Sequence, residues 1–333
     1  MIRKGMWRIL AVMLVILVPL KTAAELFWQE YNAIWENVLP WVFVGACLLL
    51  FLVCRLDKRV IMRFRPRSYP AAGVTALLAA VGILISSLYT LVRFVRRESD
   101  ATAVSMAGDQ PLLIALCAIC GILAAIVMAA WGVSLFRTGA LFREHPIAAL
   151  IPPIWACLEL AVLFVTYTAQ SKMSINFYSI FPFVLVLLFL FAQSSFFSDA
   201  GGGVARRKFY QYGAPLVLMG LGSSVPALIR LALGLDTGSS LSAPLLVTLL
   251  TLSLYALFSM IAVRRDTNLL LRPGKDKAPL SHGDSGFSMT LELDRVLSDW
   301  KQMNGEEAPS QEEEKGDLQT EDLLEDEDYS QKK

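Results

Sequence analysis

This chain predicts an all-α membrane protein: a polytopic transmembrane helical bundle of about eight spans, followed by a mostly disordered cytoplasmic C-terminal tail. Three observations carry that expectation. First, 55% of the 333 residues are hydrophobic and only 18% are charged. Soluble domains carry about 25% charged residues, so the apolar excess needs lipid as its solvent. Second, the apolar residues fall in eight runs near the ~20 residues that cross a hydrocarbon core. Third, the charge is divided. Residues 1–263 hold 20 Lys+Arg against 11 Asp+Glu, whereas residues 264–333 hold 10 against 18. A basic membrane part (1–263) and an acidic tail (264–333) follow.

The expected spans lie near 7–24, 38–54, 71–92, 111–135, 147–168, 177–197, 214–235 and 243–263. The first is short: its apolar core runs from Ile9 to Leu20, after Arg3, Lys4 and Arg8 and before Lys21-Thr22-Ala23-Ala24. That layout also resembles a secretory signal peptide, whose removal leaves seven spans; an uncleaved helix is the expectation. Before the second span, Trp28, Tyr31, Trp35 and Val38 share one helical face, and Glu25, Gln29, Asn32 and Glu36 the other. Such spacing predicts a short helix on the membrane surface, or an aromatic anchor belt. Small residues recur every four positions at Ala72, Ala76 and Ala80, at Gly121, Ala125 and Ala129, and at Gly220 and Ser224. They mark faces where helix backbones approach closely in lipid. The sixth span, with its FPFVLVLLFLF run, is bulky all round and is expected to show lipid much of its surface.

Orientation follows from Lys and Arg in the connections. With both termini in the cytoplasm, the inner segments hold 19 of them and the outer segments 5 (Lys21, Arg93, Arg96, Arg97 and Lys172). The expected location is a cell membrane. The lack of any Asn-x-Ser/Thr sequon suits a bacterial plasma membrane.

Chemistry has few places to reside. The two histidines, His145 and His282, fall outside the spans, which excludes HExxH zinc chemistry. Neither a P-loop nor a GxGxxG occurs, so no cofactor is implied. Gly220-Leu-Gly-Ser-Ser224 has a serine-turn look, but no span carries a histidine base. All five cysteines lie in apolar runs, and Cys117-Ala-Ile-Cys120 reads as buried packing rather than a redox or metal pair. The expectation is a chain that is not an enzyme.

Two ionisable residues do sit within spans: Glu159 in the fifth and Arg230 in the seventh. A charge at the bilayer centre costs a few kcal/mol, so it usually has a partner or a wet cavity. At 1.5 Å per residue, Glu159 lies about 18 Å along its span and Arg230 about 24 Å along its own. Their offset of about 6 Å is within reach of an arginine side chain. They form a candidate ion pair, either locking the bundle or serving a transport site. The same spans hold candidate helix breaks at Pro152 and Pro153, and at Gly220, Gly222 and Pro226. Interrupted helices beside an intramembrane charge are a common transporter design.

The tail reads as a polar linker followed by an amphipathic helix near 288–303. Leu293, Val296, Leu297 and Trp300 form its candidate docking face. Because its polar face is not basic, another protein in the cytoplasm or membrane is a better partner than anionic lipid. From Asn304 to Gln331, 12 acidic residues accompany one Lys. That composition stays unfolded and repels nucleic acid. The sequence therefore points to a non-enzymatic scaffold, sensor or accessory subunit that contacts the lipid bilayer and one protein partner. The alternative is a small-solute or ion transporter with its site between spans 5 and 7.

Overall fold

The structure is a computed structural model and describes residues 2–27, 32–56, 68–96, 111–137, 139–167, 173–199, 202–235 and 241–270. These residues belong to one compact unit, Met1–Leu271. They are all-helical, with no strand among them. The long helices are α1 (Ile2–Phe27), α2 (Asn32–Leu56), α3 (Pro70–Arg96), α4 (Pro111–Arg137), α5 (Ile151–Tyr167), α6 (Met173–Phe197), α7 (Gly202–Ala232) and α8 (Ala243–Leu270). All eight are long and apolar enough to cross a membrane, as a multi-pass membrane protein requires. A single helical turn, Leu141–Glu144, and a 3-10 turn, Ala148–Leu150, lead into α5.

Helices α3 to α8 close on themselves. Each packs on the next in sequence, and α8 returns to α3. The remaining two, α1 and α2, dock on α7, and α2 also reaches α6. Glycines set the close crossings. A Cβ on Gly73 would sit 3.0 Å from the Gly132 carbonyl, and one on Gly132 would sit 3.1 Å from the Gly73 carbonyl, so α3 and α4 meet backbone to backbone. On the other side of α3, Thr248 of α8 donates to the Gly82 carbonyl at 2.8 Å. Helix α7 uses Gly220 against Ser253 of α8, Gly213 against Met260 of α8, and Gly222 against the Phe43 ring of α2. Ala72, Ala76 and Ala80 are likewise buried.

One end of the bundle, called here the basic end, carries Arg8, Arg55, Arg137, Arg143, Arg206, Arg207, Lys208 and Arg264. Toward this end the core is aromatic. Trp131 of α4 stacks on Phe142, with ring centroids 4.1 Å apart and planes 4° apart. Its Nε1 donates to the Tyr255 hydroxyl of α8 at 2.8 Å. Phe197 of α6 lies 4.8 Å from the Trp131 ring, and Phe189 lies 5.3 Å from Phe209. Four of the six ring helices thus interlock through one patch of side chains.

Several expectations from sequence need correction. The glycines and proline of span 7 do not interrupt it, because α7 runs unbroken from Gly202 to Ala232 through Gly220, Gly222 and Pro226. Gly220 and Gly222 serve close packing instead of unwinding. Ser223 and Ser224 donate back to the Met219 and Gly220 carbonyls at 2.8 and 2.6 Å. Pro152 and Pro153 occupy the first turn of α5, where a missing N–H breaks no hydrogen bond. Nor is α6 a lipid-facing helix. Phe183, Val186, Phe189 and Leu190 are buried, and it packs on both α5 and α7. The segment expected on the membrane surface divides between two spans, with Glu25 to Phe27 ending α1 and Asn32 opening α2. Trp28 to Tyr31 lie outside the described residues, as does everything from Leu271 onward, including the whole tail.

These crossings predict a sharp contrast between glycines. Gly220→Leu should cost about 1–3 kcal/mol by overpacking and lower the melting temperature of detergent-purified protein. Gly5, where an added Cβ would meet nothing within 4 Å, should accept alanine with no measurable loss. Thermal unfolding followed by size-exclusion homogeneity checks both.

Candidate functional site

Glu159 and Arg230 belong to different clusters of polar groups. On α5, Pro152, Ala156, Glu159 and Leu163 share the buried face, while Ile154, Cys157 and Phe164 look outward. That spacing aims Glu159 at α4. Its side chain is 9% exposed, and its Oε2 accepts a hydrogen bond from the Cys117 thiol at 3.0 Å. One turn toward the basic end, Trp155 of α5 and Ser87 of α3 meet at Gly121 of α4. A methyl group there would sit 2.9 Å from the Trp155 Nε1 and would collide with the Ser87 hydroxyl, so α3, α4 and α5 pack tightly at that turn. Ser87 donates to the Ile83 carbonyl at 2.8 Å.

Arg230 sits near the last turn of α7. One guanidinium nitrogen donates to the Glu25 carbonyl at 3.3 Å, which satisfies an acceptor near the end of α1. Beside it Lys21 is 4% exposed, pairs with Glu25 at 3.4 Å and stands 3.4 Å above the Tyr178 ring of α6. Tyr178 in turn meets Phe43 of α2 edge to face, with centroids 6.0 Å apart. This cluster ties α1, α2, α6 and α7 together at the end opposite the basic one.

The structure therefore does not bring Glu159 and Arg230 together. Glu159 occupies the α4–α5 seam and Arg230 the α1–α7 seam, and α6 stands between α5 and α7 in the ring. The rise per residue gives comparable depths, but it carries no information about which helices are neighbours. Two partners are hard to see in the sequence. Lys21 has the look of a loop charge, yet its i,i+4 spacing to Glu25 signals a helical pair. Cys117 has no acid near it along the chain, and its acid comes from 42 positions away.

The Cys117–Cys120 spacing does not make a disulfide site. Residues three apart on a helix hold their Cβ atoms about 5–6 Å apart, against the ~3.5–4.5 Å a disulfide needs, and both thiols are free. Among the described residues no three His, Cys, Asp or Glu side chains come together as metal ligands. The docking face Leu293, Val296, Leu297 and Trp300 lies outside the described residues. Comparison with family models, curated proteins and solved structures found no match to this chain.

A double-mutant cycle separates the two clusters. Glu159→Gln and Arg230→Gln should each shift stability independently. Their combined effect on thermal unfolding should be additive within about 0.5 kcal/mol, as for sites without shared partners. A double variant more stable than either single one would restore the ion pair.

Proposed function

We propose that this chain is a non-enzymatic component of a cell membrane, a scaffold, sensor or accessory subunit whose acidic C-terminal tail docks a protein partner. The observation that carries this reading is the aromatic closure toward the basic end. Trp131, Tyr255, Phe142 and Phe197 interlock α4, α6 and α8, so the bundle is built to be held shut there. The excess of Lys and Arg at that end supports a cytoplasmic side for it and for both termini, in what we take as a bacterial plasma membrane. The apolar face of the tail (Leu293, Val296, Leu297 and Trp300) suits a groove on a protein, and its acidic flank disfavours nucleic acid and anionic lipid. The test compares proteins co-purified with the full chain, with a 286–333 deletion and with Trp300→Asp. The same partner should vanish from both altered forms, and an unchanged set removes the docking reading.

A second reading, a small-solute or ion transporter, is favoured by one specific feature. Glu159 lies in a span with a thiol as its hydrogen-bond donor, and membrane helices retain such carboxyls mainly where they handle ions. The site then belongs between α4 and α5, not between spans 5 and 7. Flux into proteoliposomes should depend on pH and be lost in Glu159→Gln. Equal flux in that variant eliminates this reading.

A further inference from the structure

We propose that Glu159 is a proton-binding site, taking up and releasing a proton within the α4–α5 seam. The inference begins with what surrounds the carboxyl. It lies eight residues from the end of α5 at Tyr167, about 12 Å at 1.5 Å per residue, and so well inside the apolar layer. A carboxylate in that layer costs a few kcal/mol unless an opposite charge meets it. No Lys, Arg or His among the described residues does so. From α4 the titratable groups near it are Cys117, which donates to it, and Cys120, one turn further along and beside Cys117. Tyr178 of α6 is turned to Lys21 of α1, and α3 contributes the hydroxyl of Ser87 at the neighbouring turn. A thiol is a weak donor and balances little of a full negative charge.

Packing then selects the ligand. Metal ions need several ligands, and among the described residues no three His, Cys, Asp or Glu side chains come together. A hydrated ion or an ammonium group needs several hydrogen-bonding partners, and among the described residues the Cys117 thiol is what bonds the Glu159 carboxyl. A proton needs neither. Uptake converts carboxylate and hydronium into carboxylic acid and water, and release reverses it. This goes beyond the docking reading and supplies the ion for the transport reading. It rests on the transport reading only for the use made of the proton.

Dicyclohexylcarbodiimide provides the test, because this lipid-soluble reagent adds to a protonated carboxyl. The acid proton moves to one carbodiimide nitrogen as the carboxyl oxygen bonds to the central carbon, and the acyl group then shifts from that oxygen to the other nitrogen, breaking the acyl C–O bond and leaving a stable N-acylurea. The full chain in native membranes is treated across a pH series, with reagent hydrolysis measured in parallel, and adducts are mapped by peptide mass spectrometry. The expected result is an adduct on Glu159 at acidic pH that falls several-fold as pH rises. Glu159→Gln, checked for a monodisperse fold, should give none. Cys117→Ala should keep the adduct and move the pH at which it disappears. Absence of an adduct on Glu159, or equal labelling at every pH, overturns the proposal. Labelling that depends on pH without any solute flux would leave it standing and remove the transport reading alone.

Discussion

Backbone-to-backbone approach at glycines is the constraint on which the rest of this bundle depends. Lipid tails are as apolar as leucine, so helices in a membrane gain little by merely hiding apolar side chains from them. They associate through close dispersion contact and interhelical hydrogen bonds. The crossing of α3 with α4 at Gly73 and Gly132 is of this kind, and at Gly220 of α7 the missing side chain leaves room for Ser253 of α8. At α3 and α8 the threonine of one helix bonds the glycine carbonyl of the other. Helix α7 touches α1, α2, α6 and α8 at once, and its glycines admit side chains from three of them: Gly213 from α6 and α8, Gly220 from α8 and Gly222 from α2. The closed course of α3 to α8, and the docking of α1 and α2 outside it, both hang on that helix.

The two buried polar clusters show different ways of holding an ionisable group away from water. Lys21 has an acid one turn along its own helix and an aromatic face beneath it, and the pairing joins α1 to α6. Desolvated cation–π contact is worth about 2 kcal/mol or more, which helps a lysine sit where it is almost fully enclosed. Glu159 has no such compensation, only a thiol across the α4–α5 seam. Of the two, Glu159 is the less compensated.

Some of this is legible without coordinates. Run length and charge content account for the eight apolar helices among the described residues, because a span's existence is set by local composition against a bilayer of fixed thickness. Small residues at four-residue spacing mark packing faces at Ala72, Ala76 and Ala80, and at Gly220 and Ser224, since period alone places them on one side of a helix. That Glu159 is unusual is legible too, because charge within an apolar run is costly wherever it points. The partner of Glu159 is not.

What only the tertiary structure decided is which helix faces which. Depth along a helix follows from counting residues, but the neighbour depends on rotation and on the order of helices in the plane, and both arise from contacts far apart in sequence. So the arithmetic that matches Glu159 to Arg230 in height cannot see α6 between them, or Cys117 across the seam. The bulky run of α6 misleads for the same physical reason. Lipid and protein interior are both apolar, and hydrophobicity cannot tell a side chain that meets an acyl tail from one that meets Phe209 or Tyr255. The sequence by itself determined that the chain has about eight apolar runs long enough to cross a membrane, with an acid in the fifth; packing alone decided that this acid answers to a cysteine.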